Sequence, residues 1–142
     1  MYSKALTATC AIVGSLIAMT SVASADKMTM KVTLNSAAEV PPNSSTATGT
    51  ADVTFDTASR QLTWKVTYSG LTGPATMAHF HGPAEPGKNA PVVVPIPNPA
   101  SGADGSATLT EAQAEALIAG KYYINIHTAA NKGGEIRGQV AK

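Results

Sequence analysis

The sequence predicts an all-β domain: a Greek-key β-sandwich of about seven antiparallel strands, with one short helix near 111–119. Three observations predict this class. Apolar and polar residues alternate with a period of two in several segments, which is the pattern of half-buried antiparallel strands. Loops rich in Pro and Gly separate these segments, and only one segment carries helix signals. Many short strands joined by such turns are typical of a sandwich or a Greek-key barrel.

The individual strands follow from the alternation. The clearest is 61–68, where Leu62, Trp64 and Val66 alternate with polar residues. The other predicted strands are 28–34, 47–55, 77–81, 92–96, a short one before residue 110, 121–128 and 134–140. The segment that contains Pro95 is expected at a sheet edge, because proline has no N–H to donate to a neighbouring strand.

The one helix is marked at both of its ends. Thr110 is a suitable N-cap, and Gln113 follows three residues later, as in a capping box. The residues "EAQAEALIA" are strong helix formers, and Gly120 suits the position just after a helix. The helix is short, and it is expected to lie on a connection between strands.

The first 25 residues predict a secretory signal peptide. Lys4 supplies a positive start, residues 5–20 are mostly apolar, and small residues lead to a cleavage site after Ala25. The only cysteine, Cys10, lies in this segment, so the remaining chain has no thiolate ligand and no disulfide. We therefore expect an exported protein, periplasmic or extracellular, with a single domain at 26–142.

The charge of this domain excludes several partners. Loss of Lys4 leaves nine basic residues against nine acidic residues, a formal net charge of zero. No basic run occurs, which argues against nucleic acid. No basic amphipathic helix occurs either, so we expect no membrane contact after the signal peptide is cleaved. Nucleophile-elbow, phosphate-loop, dinucleotide-binding and EF-hand motifs are all absent from the sequence.

The three histidines of the chain form a candidate metal site. His79 and His81 alternate along one predicted strand, and His127 lies on another with matching parity. Residues at i and i+2 of a strand lie about 6.5 to 7 Å apart on one side, so two imidazoles can converge on one ion. In an oxidising compartment, three imidazoles suit copper(II) or zinc. The sequence therefore predicts that His79, His81 and His127 are metal ligands.

Parity also assigns each side chain to a face of the sheet. Ala78 and Phe80 are expected in the core, so the histidines are expected on the outer face, away from it. Glu135 and Arg137 share that outer face and are interpreted as solvated, or as a local ion pair. Met77 also has the parity of the histidines and is interpreted as a packing residue in preference to a thioether ligand.

Three segments carry a family resemblance: "AHFHGPA", "LTEAQAEALIAG" and "GKYYINIHTAANKGGEIRGQV". They resemble the CHRD domain, a module first described in chordin and common in secreted bacterial proteins. The resemblance covers nearly all of the chain after the signal peptide. It implies a domain family, but it brings no general activity with it.

A second similarity is to copper–zinc superoxide dismutase, a Greek-key sandwich with a His-x-His strand, a later copper-ligand histidine and a functional arginine. It implies an immunoglobulin-like or superoxide-dismutase-like fold. By this resemblance, His79, His81 and His127 would hold copper, and Arg137 would attract an anion. The bridging histidine, the zinc loop and the paired cysteines of that family are missing here. The similarity therefore implies at most a zinc-less copper site.

A third pattern is similar to the cupins, which use His-x-His-x₃-Glu and a later His-x₃-Asn. Glu85 completes the first spacing and Asn131 echoes the second. Cupin ligands point into a barrel, which conflicts with the outward face assigned above, so the dismutase-like geometry is preferred.

Three functions remain open at this point. The first is a metal-binding module that uses copper or zinc. The second is a zinc-less copper enzyme similar to superoxide dismutase, in which Arg137 steers the anion. The third is a metal-free extracellular interaction or matrix module that uses the outer strand face and the loop "GPAEPGKNAP".

Overall fold

A computed structural model gives the structure of residues 26–142. The predicted signal peptide, with Cys10, lies outside these described residues. The strands and the helix are, in chain order, β1 (Lys27–Asn35), β2 (Thr48–Asp56), β3 (Gln61–Ser69), β4 (Ala75–His81), β5 (Val92–Pro95), β6 (Asp104–Thr108), α1 (Glu111–Ile118), β7 (Tyr122–Thr128) and β8 (Ile136–Val140). The all-β class with one short helix is confirmed, and each of the eight strands overlaps one of the segments predicted from the sequence. Among the described residues, no helix has the length and apolar character needed to span a membrane.

The eight strands belong to one antiparallel sheet that curls nearly into a barrel. Their order is β5-β4-β7-β8-β1-β2-β3-β6, so β5 and β6 are the edges. Trp64 on β3 and Phe80 on β4 come from near opposite ends of this order, yet their rings lie 5.2 Å apart. Only a strongly curled sheet brings them together. Gly105 on β6 leaves room for the indole, because a Cβ there would lie 2.6 Å from Trp64 Cζ2.

The apolar core fills the inside of this curled sheet. In the β1-β2-β3 meander, Met30 pairs with Val53 and Val53 pairs with Trp64, so the apolar positions of three strands lie side by side. All three are buried, while their polar neighbours along each strand face outward. A fully buried apolar side chain of this size contributes about 1.5 to 3 kcal/mol. The period-two alternation of the sequence therefore identifies the core correctly.

Helix α1 is held by the predicted capping box. Gln113 N donates to Thr110 Oγ1 at 3.2 Å, and Thr110 N donates to Gln113 Oε1 at 2.9 Å. The helix ends at Ile118, with Ala119 as its C-cap and Gly120 at a positive φ. It buries Leu117 against the core of the sheet.

The outer face of β4, β7 and β8 differs from the prediction. Parity is right, because His79, Asn125 and Arg137 alternate with the core residues. The interpretation of this face as solvated is wrong, since every residue of β7 is buried. Three loops cover it: residues 37–43, 82–91 and 131–134, each of which makes hydrogen bonds to side chains or backbone of these strands. Loop cover of this kind leaves no periodic signal in a strand sequence.

Candidate metal centre

Two neighbouring strands position the three histidines. In the β4–β7 register, His79 lies opposite Asn125, His81 lies opposite Tyr123, and Met77 lies opposite His127. The side chains of His79, His81 and Met77 on β4, and those of Tyr123, Asn125 and His127 on β7, therefore project from the same side of the sheet. The structure brings the three predicted ligands together as the parity argument expects.

The ring nitrogens lie close enough to share one ion. One ligand nitrogen from each of His79, His81 and His127 lies within 4.8 Å of the other two. His79 Nδ1 and His127 Nε2 are 3.2 Å apart. Two ligands about 2.0 to 2.1 Å from one ion, at right or tetrahedral angles, have donor atoms about 2.8 to 3.4 Å apart. This first pair already has the spacing of adjacent metal ligands, and the other pairs lie within 4.8 Å, so any pair wider than about 3.4 Å must close for tetrahedral coordination.

His127 has the hydrogen bond that a metal-binding histidine needs. Its Nδ1 lies 2.8 Å from the carbonyl oxygen of Lys132. A carbonyl oxygen only accepts, so Nδ1 carries the hydrogen and the lone pair of Nε2 points toward His79. A backbone carbonyl that fixes the ring in this way is the usual outer partner of a ligand histidine.

His81 is held on both edges and on one face. Nδ1 lies 2.9 Å from the carbonyl oxygen of Ala90, and Nε2 lies 3.0 Å from Asn125 Oδ1. The Tyr123 ring stacks on it at 4.7 Å with an interplanar angle of 3°. A neutral imidazole has one N–H, so it satisfies only one of the two oxygens. Coordination by His81 therefore requires that its nitrogen without a hydrogen separate from the neighbouring oxygen, while the other nitrogen keeps its hydrogen bond.

Burial favours the neutral form of His79 and His81, which is the form that binds metal. The pKa of His79 is lowered, mainly by desolvation and further by the nearby imidazoles of His127 and His81. The pKa of His81 is also lowered, again mainly by desolvation, although the hydrogen bonds to Ala90 and Asn125 oppose that shift. Since metal ions bind the neutral imidazole, these shifts extend the pH range of binding downward.

Arg137 lies behind this cluster and holds a loop. Its guanidinium carbon is 3.4 Å from the centroid of the Tyr123 ring, and β8 and β4 flank β7 on opposite sides, so Tyr123 separates Arg137 from His81. The guanidinium donates to Asn89 Oδ1 at 3.0 Å and to the carbonyl oxygen of Lys88. It is 2% exposed, so the interpretation as a solvated residue is wrong. Steering of an anion by Arg137 stays a prediction.

Glu39 is a buried carboxylic acid that the sequence analysis missed. It is 4% exposed, and its Oε1 has no hydrogen-bond partner. Burial raises the pKa of Glu39 to about 7, opposed by the charge of Arg137 and by a hydrogen bond from Asn125. Gly134 makes space for it, because a Cβ there would lie 2.3 Å from Glu39 Oε1. Glu39 thus contacts Asn125, the residue that holds His81 Nε2, and its only sequence signal is an acid among small and apolar residues in "SAAEVPP".

Glu135 is also buried, and it fixes chain segments instead of facing solvent. It is 0% exposed and receives four hydrogen bonds, from Ser45 Oγ, Thr72 N, Thr72 Oγ1 and Thr128 Oγ1. Burial alone would raise the pKa of Glu135, but these hydrogen bonds outweigh it and lower the pKa to about 2. The interpretation of Glu135 as a solvated residue or a local ion pair is wrong.

The cupin-like set is not assembled. Glu85 is exposed and pairs with Lys121 Nζ at 3.4 Å, away from the cluster of three histidines. The backbone N–H of Asn131 donates to Thr128, in the turn after β7. Within residues 26–142, the carboxylate groups near the outer face are those of Glu39 and Glu135, and neither belongs to the histidine cluster.

Comparison with known proteins gives one positive result. No curated protein matches the chain, and no solved structure matches it. The pattern of the CHRD domain matches residues 30–140, which span β1 to β8 and include all three histidines. The chain therefore belongs to the CHRD domain family.

Proposed function

We propose that this CHRD domain is an exported metal-binding module, in which His79, His81 and His127 hold one copper or zinc ion. The observation that carries the proposal is the convergence of three ring nitrogens within 4.8 Å, with two of them 3.2 Å apart. Export rests on the predicted signal peptide at residues 1–25.

The environment of the three histidines supports a metal site better than it supports a polar surface without a ligand. The His127 ring is fixed by the Lys132 carbonyl, and the His79 and His81 rings are desolvated. Three protein ligands leave further coordination positions for water or a small molecule. His79, which is partly exposed, lies on the open side of the cluster, and His81 lies on the side that residues 82–91 cover.

The test is metal analysis of protein produced from the full-length gene, with His79→Ala and His127→Ala as variants. After loading with copper(II) or zinc and removal of free metal, we expect about one ion per chain, and loss of most of it in either variant, because each removes one of the two nitrogens already at ligand spacing. Glu85→Ala is the control, since Glu85 pairs with Lys121 and should leave the metal content unchanged.

Two results would contradict the proposal. One is the absence of retained metal in the unsubstituted protein, and the other is equal metal content in the protein and both histidine variants. Export is tested by cell fractionation and by the mass of the purified chain. If the signal peptide is cleaved after Ala25, the exported fraction contains a chain that begins at Asp26.

A redox enzyme is the second candidate, because three ligands and an exposed side would leave room for a small oxidant at a copper ion. It predicts superoxide-dependent turnover by the copper-loaded protein, and loss of that turnover in His127→Ala. If the copper-loaded protein shows no turnover, the redox enzyme is ruled out and the metal-binding module remains as the proposed function.

A further inference from the structure

Met77 is an exposed apolar side chain beside the histidine cluster. It is 49% exposed, which makes it one of three large apolar residues exposed among residues 26–142, with Val92 and Ile118. The interpretation of Met77 as a packing residue is wrong, because it is not among the side chains that pack against the core. Burial in the core therefore does not explain why a methionine lies at this position.

The sheet register directs Met77 toward the candidate ligands. It lies opposite His127 on β7 and two residues before His79 on β4, so it shares their side of the sheet. The register shifts between Ala75 and Met77, which leaves Thr76 without a partner on β7. Bulges of this kind often re-aim a side chain next to a functional site.

The distances involved are within reach of a methionine side chain. Residues directly opposite each other on antiparallel strands have Cβ atoms about 4.5 to 5.5 Å apart. Methionine has three rotatable side-chain bonds and a polarisable sulfur, so its thioether adapts to an irregular position. Since Met77 is exposed, it can turn toward an ion between His79 and His127 without disturbing the core.

The chemistry of this set favours one metal ion over others. A thioether is a soft ligand that selects copper(I), and it contributes little to zinc. The cluster within the described residues contains no carboxylate, so three imidazoles and a thioether supply no negative charge. A neutral ligand set suits a monovalent ion better than a divalent one, because it leaves less uncompensated charge in a partly buried site.

We propose that Met77 is a fourth ligand, and that it makes the His79–His81–His127 site selective for copper(I). This inference rests on the proposed metal-binding function and adds the preferred ion and the residue that sets the preference.

The experiment compares Met77→Leu with the unsubstituted protein. Copper(I) affinity is measured by competition with a coloured copper(I) chelator under anaerobic, reducing conditions, and zinc affinity by competition with a zinc chelator. We expect Met77→Leu to weaken copper(I) binding at least ~10-fold, the lower end of what loss of even an outer partner causes, and to leave zinc binding unchanged. X-ray absorption of the copper(I) form should show a copper–sulfur distance that Met77→Leu removes.

Met28→Leu is the matched control, because it makes the same chemical change on β1, where Met28 packs against the core. Unchanged copper(I) affinity and X-ray absorption in Met77→Leu would overturn this inference alone, and so would equal weakening of copper(I) and zinc. Failure of the unsubstituted protein to bind either ion would overturn the proposed function itself.

Discussion

At the scale of single residues, Glu39 is an acid placed where its neutral form is favoured. Its ordinary pKa of 4.5 rises to about 7, mainly through burial. Between these values the folded chain keeps a proton that the unfolded chain has lost, so stability is greatest below about pH 4.5 and falls as pH rises toward 7. The charged group that faces Glu39 is Arg137, which reduces this penalty without removing it.

Glu39→Gln should therefore remove a pH dependence. We expect the unsubstituted protein to lose roughly 3 kcal/mol of unfolding free energy, relative to Glu39→Gln, between about pH 5 and about pH 8. Urea unfolding of the metal-free protein at the two pH values measures this. Glu115→Gln, on the exposed face of the helix, is the control, and it should follow the unsubstituted protein. If the difference in unfolding free energy between Glu39→Gln and the unsubstituted protein stays constant from about pH 5 to about pH 8, the raised pKa of Glu39 is contradicted.

The parity of strand residues indicates which side of the sheet a side chain occupies, but it does not indicate what covers that side. Period two places His79, His81 and His127 on one side, and the structure confirms that they meet. It gives no information about the loops that cover that side, because contacts such as Asn89 Nδ2 to the Val40 carbonyl join residues far apart in sequence. Because the sequence does not reveal this loop cover, it indicates neither the burial of Glu39 nor that of Arg137.

At the scale of strands and loops, Glu135 joins the segment before β2, the segment after β3 and the end of β7. Oε1 accepts from Ser45 before β2 and from the backbone of Thr72 after β3, while Oε2 accepts from the hydroxyls of Thr72 and Thr128. Because the folded pKa of about 2 lies below the ordinary 4.5, this contribution is complete above about pH 4.5 and is lost as pH falls toward 2.

Glu135→Gln tests this connection. The amide keeps one acceptor oxygen but loses the charge, so we expect about 1 to 3 kcal/mol of destabilisation at neutral pH. The difference from the unsubstituted protein should narrow as pH falls below about 4.5. Chemical unfolding at a series of pH values measures it. A Thr72→Ser variant, which keeps the hydroxyl, should change stability much less than Thr72→Val, and equal effects of the two would argue against the hydroxyl's role.

Element prediction from the sequence was nearly complete. The strands and the capped helix are found because alternation and capping are local properties, as Thr110 and Gln113 illustrate. The partner strands of β4 were not predictable in the same way. Its neighbours are β5 and β7, and β7 begins more than forty residues later in the chain, so no local pattern in the sequence identifies this pairing.

At the scale of the whole molecule, curling of the sheet depends on the contact between its two halves. Trp64 and Phe80 make that contact edge to face, and Gly105 gives the indole its space. A single methyl group at position 105 would lie 2.6 Å from the indole, so the indole or strand β6 must move. The class of fold was predictable, but the curl was not, because it arises from side chains on β3 and β4 that are not neighbours in the sheet.

Gly105→Ala should therefore destabilise the domain by about 1 to 3 kcal/mol, the usual effect of overpacking. Near-ultraviolet circular dichroism should change as well, because Trp64 is the chain's one tryptophan. Gly73→Ala is the matched control, since a Cβ there would meet nothing within 4 Å, and its effect should stay within about 0.5 kcal/mol. Equal behaviour of the two variants would refute the role given to Gly105.

Strand β7 is buried along its whole length, with the core on one side and the loops on the other. Because β7 is paired with β4 on one side and with β8 on the other, we expect its amide hydrogens to be among the slowest of the domain to exchange with solvent. The loop that holds His81 through Ala90 is exposed over much of its length and belongs to the part of the molecule that opens more readily. The domain thus places His127 on a strand that is paired on both sides, and it places one of the two polar contacts of His81, the one to Ala90, on an exposed loop.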